Sequence, residues 1–139
     1  MVRGLPMNFK ISCRFVSADN HSHEITVDNV SDAQTAWEKQ NWGDEVGRAE
    51  NVTGQCPCVW FVHTEDPTTY LNISGEYGGS FMVMLQVVAK PGLLGIFGRE
   101  VADPLVHGAS ADQVRLFVQQ FFSLDKHALY AWAKSVPQG

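Results

Sequence analysis

Residues 81–89 constrain what this chain can fold into more than any other stretch. Eight of these nine residues are apolar, and they do not alternate with polar residues. Such a run is typical of a strand in the middle of a sheet that is covered on both faces. Glycines precede it and Pro91-Gly92 follows it, so the run is too short to span a membrane. The sequence therefore predicts a central strand with the rest of the chain arranged around it.

The length and composition favour one folded domain. The chain has 139 residues and is 45% hydrophobic, which is enough for a core that needs no metal or disulfide. We interpret residues 1–139 as a single α+β domain, with residues 1–7 as a flexible N-terminal extension. The formal net charge of −5 disfavours nucleic acid as a direct partner, because phosphate binding depends largely on Lys and Arg.

The cysteine usage favours a cytoplasmic protein. There are three cysteines, and Cys56 and Cys58 are too close in sequence for a comfortable disulfide with each other. A reducing compartment fits this pattern better than a secreted setting. The first residues also lack the apolar core of a signal peptide. We therefore expect a cytoplasmic location.

Alternating apolar residues and turn residues predict an antiparallel sheet of about five to six strands. Glycine and proline residues between the apolar runs favour short connections, as in a meander. Residues 43–55 and 103–108 lack apolar periodicity and are interpreted as surface loops, the first being the most acidic stretch of the chain. The predicted strands are residues 8–16, 25–27, 58–62, 70–73 and 81–89, with one further short strand within 92–100.

Two to three helices are expected to pack on this sheet. Ser31 and Gln34 have the spacing of a capping box at the start of a helix over residues 31–40. A second capping box, Ser110 with Gln113, begins the clearest helix, whose apolar residues recur at helical spacing from position 114 to 122. A shorter helix follows and carries Leu129.

Several residues have the chemistry of metal ligands. Zinc needs about four ligands that converge in a tetrahedron. The apolar surroundings and Pro57 suit packed cysteines equally well, so we expect no metal and no cofactor. The candidate ligands are Cys56, Cys58 and His63, with Cys13 or the pair His21 and His23 as outside ligands.

Residue types for acid–base catalysis also occur, but without a catalytic signature. His63 is followed closely by two carboxylates, and His107 precedes Ser110. Neither set has a nucleophile elbow or a similar local motif. His63 is better explained as a strand-end residue and Ser110 as a helix cap. We therefore predict no catalytic residues, with a small-ligand-binding module or a small enzyme as the alternative.

Acidic and aromatic residues form the most distinctive predicted surface. One interpretation is a solvated rim. The other is a protein-binding face, on which acidic groups attract a basic partner and aromatic residues provide buried anchors. The candidate binding residues are Trp42, Asp44, Glu45, Glu50, Glu65, Asp66, Glu76 and Tyr77.

The order of elements resembles the Imm1 family of immunity proteins, which accompany bacterial polymorphic and contact-delivered toxins. The resemblance covers roughly residues 25–133. Its clearest part is the C-terminal helix that ends in Phe121-Phe122, followed by a break and Leu129-Tyr-Ala-Trp132. A capped start at Ser110 and the strand containing Leu71-Asn-Ile73 precede it.

This resemblance implies a small, non-catalytic protein that binds a cognate toxin domain in the cytoplasm and blocks its active site. Toxins neutralised by related proteins include nucleases and nucleic-acid deaminases with basic clefts, which an acidic face would suit. No interface residue is carried over from the family, so the candidate binding residues come from this chain alone. A structural or adaptor subunit of a secretion apparatus is a third hypothesis.

Overall fold

The computed structural model describes residues 11–17, 22–40, 42–48, 57–76, 78–90, 98 and 100–137. Within these residues the chain forms seven strands and four helices, which confirms the predicted α+β class with an antiparallel sheet. The predicted extension (1–7) lies outside them. The strands are β1 (Ile11–Val16), β2 (Ser22–Val27), β3 (Cys58–His63), β4 (Tyr70–Gly75), β5 (Phe81–Lys90), β6 (Glu100–Ala102) and β7 (Leu105–Ala109); the helices are α1 (Val30–Glu38), α2 (Trp42–Arg48), α3 (Ala111–Ser123) and α4 (Lys126–Ser135).

The strands pair in the order β2-β1-β3-β4-β5-β6, and β7 also pairs with β5. β5 therefore has neighbours along both edges, as the central-strand prediction requires. β7 pairs with its first half and β6 with its second half. Between β6 and β7 the Pro104 carbonyl accepts a hydrogen bond from the Leu85 amide at 3.1 Å. The prediction that residues 103–108 form a loop is wrong, because pairing with β5 makes most of them a strand.

Alternate side chains of the sheet form an inner face that packs against the helices. On β1, β3, β4 and β5 these positions are in register, so that Cys13, Phe61, Leu71 and Leu85 form one row across the sheet. All four are buried. Burying a large apolar side chain contributes about 1.5–3 kcal/mol, so rows of this kind supply most of the driving force for the fold.

The clearest predicted helix, α3, has the expected start and the expected buried stripe. Its capping box is present: the Ser110 hydroxyl accepts from the Gln113 amide, and the Gln113 side chain accepts from the Ser110 amide. Val114, Phe117 and Phe121 are buried against the sheet and its neighbours. α4 follows directly, and the Asp125 carboxylate caps its first turn.

The start of α1 differs from the prediction. Asn29, not Ser31, is the N-cap, and its side chain accepts a hydrogen bond from the Asp32 amide at 2.8 Å. Gln34 has another role, since its side-chain oxygen accepts from the Trp37 indole at 2.7 Å. Asparagine caps helices as well as serine does, so Asn29 can begin the helix before Ser31 is reached.

The prediction of a surface loop from residue 43 is wrong for its first part, because Trp42–Arg48 forms α2. The helix has few apolar residues, and two of them pack on the sheet at Gly75. A Cβ added at Gly75 would lie 2.7 Å from a Val46 methyl carbon and 2.9 Å from the Trp42 ring. Because Gly75 has no side chain, α2 can approach β4 closely at this position.

The outer face of the sheet, opposite the helices, is less covered than the sequence predicted. From Phe81 to Val87, buried inner residues alternate with only partly buried outer ones, among them Met82 and Met84. A strand with neighbours on both edges keeps its apolar run, but the helices of the described part cover only one of its faces. We define the outer face by Arg14, Trp60, Tyr70, Asn72, Met82 and Met84.

Replacing Gly75 by alanine should destabilise the protein by about 1–3 kcal/mol, because the new methyl group overpacks the contact between α2 and β4. Gly43, also in α2, is the matched control, since nothing lies within 4 Å of its added Cβ. Gly43→Ala should leave stability unchanged or raise it by up to about 1 kcal/mol. Urea unfolding monitored by tryptophan fluorescence measures both, and equal effects would contradict the close contact.

Candidate functional site

The predicted acidic residues do not form one cluster. Glu65 and Asp66 lie in the turn between β3 and β4, whereas Glu76 follows the last residue of β4. β4 has six residues, so these two groups are separated by roughly 20 Å along the strand. The structure therefore places them at opposite ends of the sheet.

The other predicted binding residues are near the Glu76 end or outside the described part. Trp42 and Glu45 belong to α2, as does Asp44, of which only the backbone is described. Glu50 and Tyr77 lie outside the described residues. The structure brings Trp42 and Glu76 together, because both line one cleft beside the turn between β4 and β5.

Trp42 is part of the packing between helix and sheet. Its ring makes edge-to-face contacts with Phe15 and Phe81, at centroid distances of 6.0 and 5.4 Å. Its indole nitrogen donates to the Trp37 carbonyl at 2.8 Å. Most of this side chain therefore stabilises the fold, and only its remaining surface faces the cleft.

Glu76 joins the turn after β4 to β7. One carboxylate oxygen accepts from the Gly108 amide at 2.9 Å and from the Ser80 hydroxyl at 3.3 Å. The other oxygen lies 3.1 Å from His107 Nδ1. The hydrogen bond from the Gly108 amide has the largest effect in lowering the pKa of the Glu76 carboxyl, and the contact with His107 lowers it further. The Ser110 hydroxyl caps α3, as the sequence predicted.

Asp66 joins the turn between β3 and β4 to α4. Its carboxylate lies 2.7 Å from Lys126 Nζ, accepts from the Thr69 hydroxyl at 2.8 Å and also accepts from Thr68. Partial burial opposes ionisation. The hydrogen bonds from Lys126 and the two threonines outweigh it, and they lower the pKa of Asp66 to about 2.

His63 is a buried aromatic residue at the end of β3. It is 1% exposed, and its ring centroid lies 4.9 Å from that of Phe121. Burial lowers the pKa of His63 to about 4, although the nearby Asp66 charge acts in the opposite direction. The imidazole is therefore neutral near pH 7 and is enclosed by the core, which is a poor position for a general base.

The candidate metal ligands do not converge in the part of the chain that the structure describes. Cys58 and His63 lie five positions apart on one strand, so their side chains point to opposite faces of the sheet. Cys13 is buried on the inner face, and burial raises the pKa of its thiol to about 11. Among the described side chains, no three His, Cys, Asp or Glu residues are grouped as metal ligands. Cys56 and His21 lie outside the described residues, and the side chain of His23 is not described.

The cleft beside Trp42 is one candidate site for a small ligand. It has a volume of about 170 Å³, and its walls are mainly apolar, with Val46 and Phe81 contributing to them. The carboxylate of Glu76 lies at its margin and is already bonded to the chain's own Gly108. Ligand pockets usually measure roughly 300–1,000 Å³, so this cleft is small for a metabolite site.

The outer face was not identified from the sequence, and it combines aromatic, thioether and amide side chains. The rings of Trp60 and Tyr70 lie 5.4 Å apart on neighbouring strands. Asn72, between Trp60 and Met84 in register, is only 3% exposed. Its side-chain oxygen accepts from the Ser74 hydroxyl at 3.0 Å, while its side-chain nitrogen has no acceptor within the described residues.

Charged residues stand at one margin of the outer face and pair with each other. Arg14 lies 3.8 Å from the Glu24 carboxylate on β2, and the Ser12 hydroxyl also donates to Glu24. The middle of the face is uncharged. Surfaces with aromatic and methionine residues at the centre and charges at the margin are typical of protein contacts.

Comparison of the chain with protein-family models, curated proteins and solved structures finds no match to any of them. The resemblance to immunity proteins therefore stays a prediction. No helix in the described ranges is both long enough and apolar enough to cross a membrane.

Acidification should destabilise the protein through His63. Its pKa is 6.5 when unperturbed and about 4 in the folded protein. The folded state binds a proton at His63 less readily than the unfolded state does. The free energy of unfolding therefore has its full value above pH 6.5 and decreases as the pH falls towards 4. The loss should reach about 3 kcal/mol.

Urea unfolding at a series of pH values measures this loss. His63→Phe should flatten the dependence in that window, whereas replacement of the exposed His127 by alanine should preserve it. A dependence that is unchanged in His63→Phe would contradict this assignment. Asp66 should lower the free energy of unfolding further as the pH falls from 3.8 towards 2, because folding lowers its pKa from 3.8 to about 2.

Glu76 and Glu65 test which of the predicted acidic residues are structural. Glu76→Ala removes the acceptor of the Gly108 amide and should destabilise the protein by about 1–2 kcal/mol. Glu65→Ala, at an exposed turn position, should change stability by no more than about 0.5 kcal/mol. Thermal unfolding of the two variants compares them directly, and similar melting temperatures would contradict a structural role for Glu76.

Proposed function

We propose that this protein is an immunity protein that binds a cognate bacterial toxin domain in the cytoplasm and neutralises it by covering its active site. The toxin would be an enzyme such as a nuclease or a nucleic-acid deaminase. The protein itself would act by stoichiometric binding, without catalysis. The observation that carries the proposal is the outer face, where partly exposed Trp60, Tyr70 and Met84 surround the buried amide of Asn72.

The composition of the outer face supports a protein partner. Tryptophan and tyrosine are the residues most often found to dominate binding energy at protein interfaces, and methionine adapts its shape to a partner. Further burial of Trp60 and Met84 would release water from apolar surface, which is the main source of affinity. Asn72 could then pair its side-chain nitrogen with an acceptor from the partner, after a small movement of the neighbouring Met84.

The acidic residues would contribute to the rate of association more than to affinity. Asp66 and Glu76 are engaged with Lys126 and Gly108 of the same chain, so they cannot be the main contacts of a partner without breaking the fold's own bonds. The net charge of −5 still attracts a basic cleft at long range. The roles are thus divided: overall charge favours encounter, and the uncharged middle of the outer face holds the partner.

Binding of a small ligand in the cleft beside Trp42 is the second candidate. The cleft is apolar, and Glu76 at its margin provides a carboxylate. Its volume of about 170 Å³ favours this function less than protein binding.

A toxin domain encoded beside this gene would provide the direct test. The purified protein should form a one-to-one complex with that domain and should protect cells that express it. In titration calorimetry, Trp60→Ala and Met84→Ala should each weaken binding by roughly tenfold or more, as truncation of central interface residues does. Leu116→Ala is the matched control, because Leu116 is an apolar residue that is 50% exposed on α3.

The possible outcomes test the immunity function and the outer face as the contact surface separately. Lack of binding and lack of protection with the wild-type protein would contradict the immunity function. A complex that forms normally but tolerates both outer-face substitutions would retain the function and exclude this face as the contact.

A further inference from the structure

β2 is an open and regular edge of the sheet. Its six residues pair with β1 without a register shift, and no strand of the described part pairs with its other side. The opposite edge is different, because the pairings of β5 with β6 and β7 contain register shifts and are interrupted at Pro104. Bulges and prolines protect sheet edges from further pairing, and β2 has neither.

Ile25, in the middle of β2, is exposed although its neighbour on β1 is buried. Ile25 pairs with Cys13, which is 5% exposed, whereas Ile25 itself is 46% exposed. Val27, on the same side of β2, is 2% exposed. The apolar layer under the helices therefore continues to β2 but leaves Ile25 uncovered at the edge.

We propose that two copies of this chain associate through β2, which pairs with the β2 of the second copy in antiparallel orientation around a two-fold axis at Ile25. An edge strand offers backbone donors and acceptors in a row, and only another extended strand satisfies them together. Ile25 of each copy would lie directly opposite its equivalent, with Cβ atoms about 4.5–5.5 Å apart.

Charge selects this register over the two neighbouring ones. In a symmetric pair the opposed side chains must share a face, so the axis can move only by whole residues. An axis at Glu24 would place the two Glu24 carboxylates opposite each other, and an axis at Thr26 would place Glu24 opposite Asp28. The axis at Ile25 places Glu24 opposite Thr26 and avoids both like-charge pairs.

Glu24 also has its own counterion within the chain. Its carboxylate lies 3.8 Å from Arg14 and accepts from the Ser12 hydroxyl. One Glu24 oxygen is therefore already engaged within the chain, while the carboxylate still carries its charge at the edge. The second copy is favoured over a basic peptide strand, since a basic residue of such a strand would compete with Arg14 for Glu24.

Sedimentation or light scattering over a series of protein concentrations tests the proposal with the protein alone. The wild-type chain should pass from monomer to dimer. Ile25→Lys should raise the dissociation constant by roughly 100-fold or more, because two lysines would oppose each other across the axis. Leu116→Lys, at the other exposed large apolar residue, should dimerise as the wild type does. Circular dichroism of each variant checks that the fold is retained.

A short thiol cross-linker tests the register. Ile25→Cys should give a covalent dimer in high yield, whereas Leu116→Cys and the wild type, which has only its native cysteines, should not. A wild type that stays monomeric at all concentrations overturns the proposal. A dimer that persists in folded Ile25→Lys, or that forms without cross-linking of Ile25→Cys, also overturns it. If Ile25→Cys is cross-linked only to a different protein and never to a second copy, the dimer proposal is also overturned.

Discussion

The contact of Phe81 with two tryptophans determines how the rest of the molecule is arranged. The ring of Phe81, the first residue of β5, lies 5.6 Å from that of Trp37 on α1 and 5.4 Å from that of Trp42 on α2. Both helices of the connection between β2 and β3 are thereby held on one side of the sheet. Because α3 and α4 pack on the same side, the inner face becomes the core and the outer face keeps its partial exposure.

This one-sided packing also explains what the acidic residues do. The turns at both ends of the sheet are joined to neighbouring helices or strands, and carboxylates make these connections. Asp66 reaches α4 through Lys126, and Glu76 reaches β7 through the Gly108 amide. A carboxylate that satisfies a backbone amide within the chain cannot be withdrawn without leaving that amide unpaired. The surface acidity of the sequence therefore did not show which carboxylates join elements of the chain itself.

Local signals predicted the elements that form from neighbouring residues, and tertiary contacts decided the others. The capping box at Ser110 and the apolar stripe of α3 are contained in the sequence of the helix itself. By contrast, α2 depends on space at Gly75, and β7 depends on pairing with β5, so neither is visible in its own residues. The outer face was missed for the same reason: an apolar run predicts a central strand, but the number of covered faces depends on where the helices pack.

A two-fold axis perpendicular to the sheet would keep both surfaces in use. Such an axis preserves the face to which each side chain points, so the two outer faces would lie side by side on one side of an extended sheet. The four helices of each copy would lie on the other side, with the Ile25 pair filling the gap between the two helical layers. Trp60 is on β3, two strands away from β2, and pairing at the edge would leave it accessible. Dimerisation through β2 and partner binding on the outer face are therefore compatible, and a dimer would hold two partner molecules.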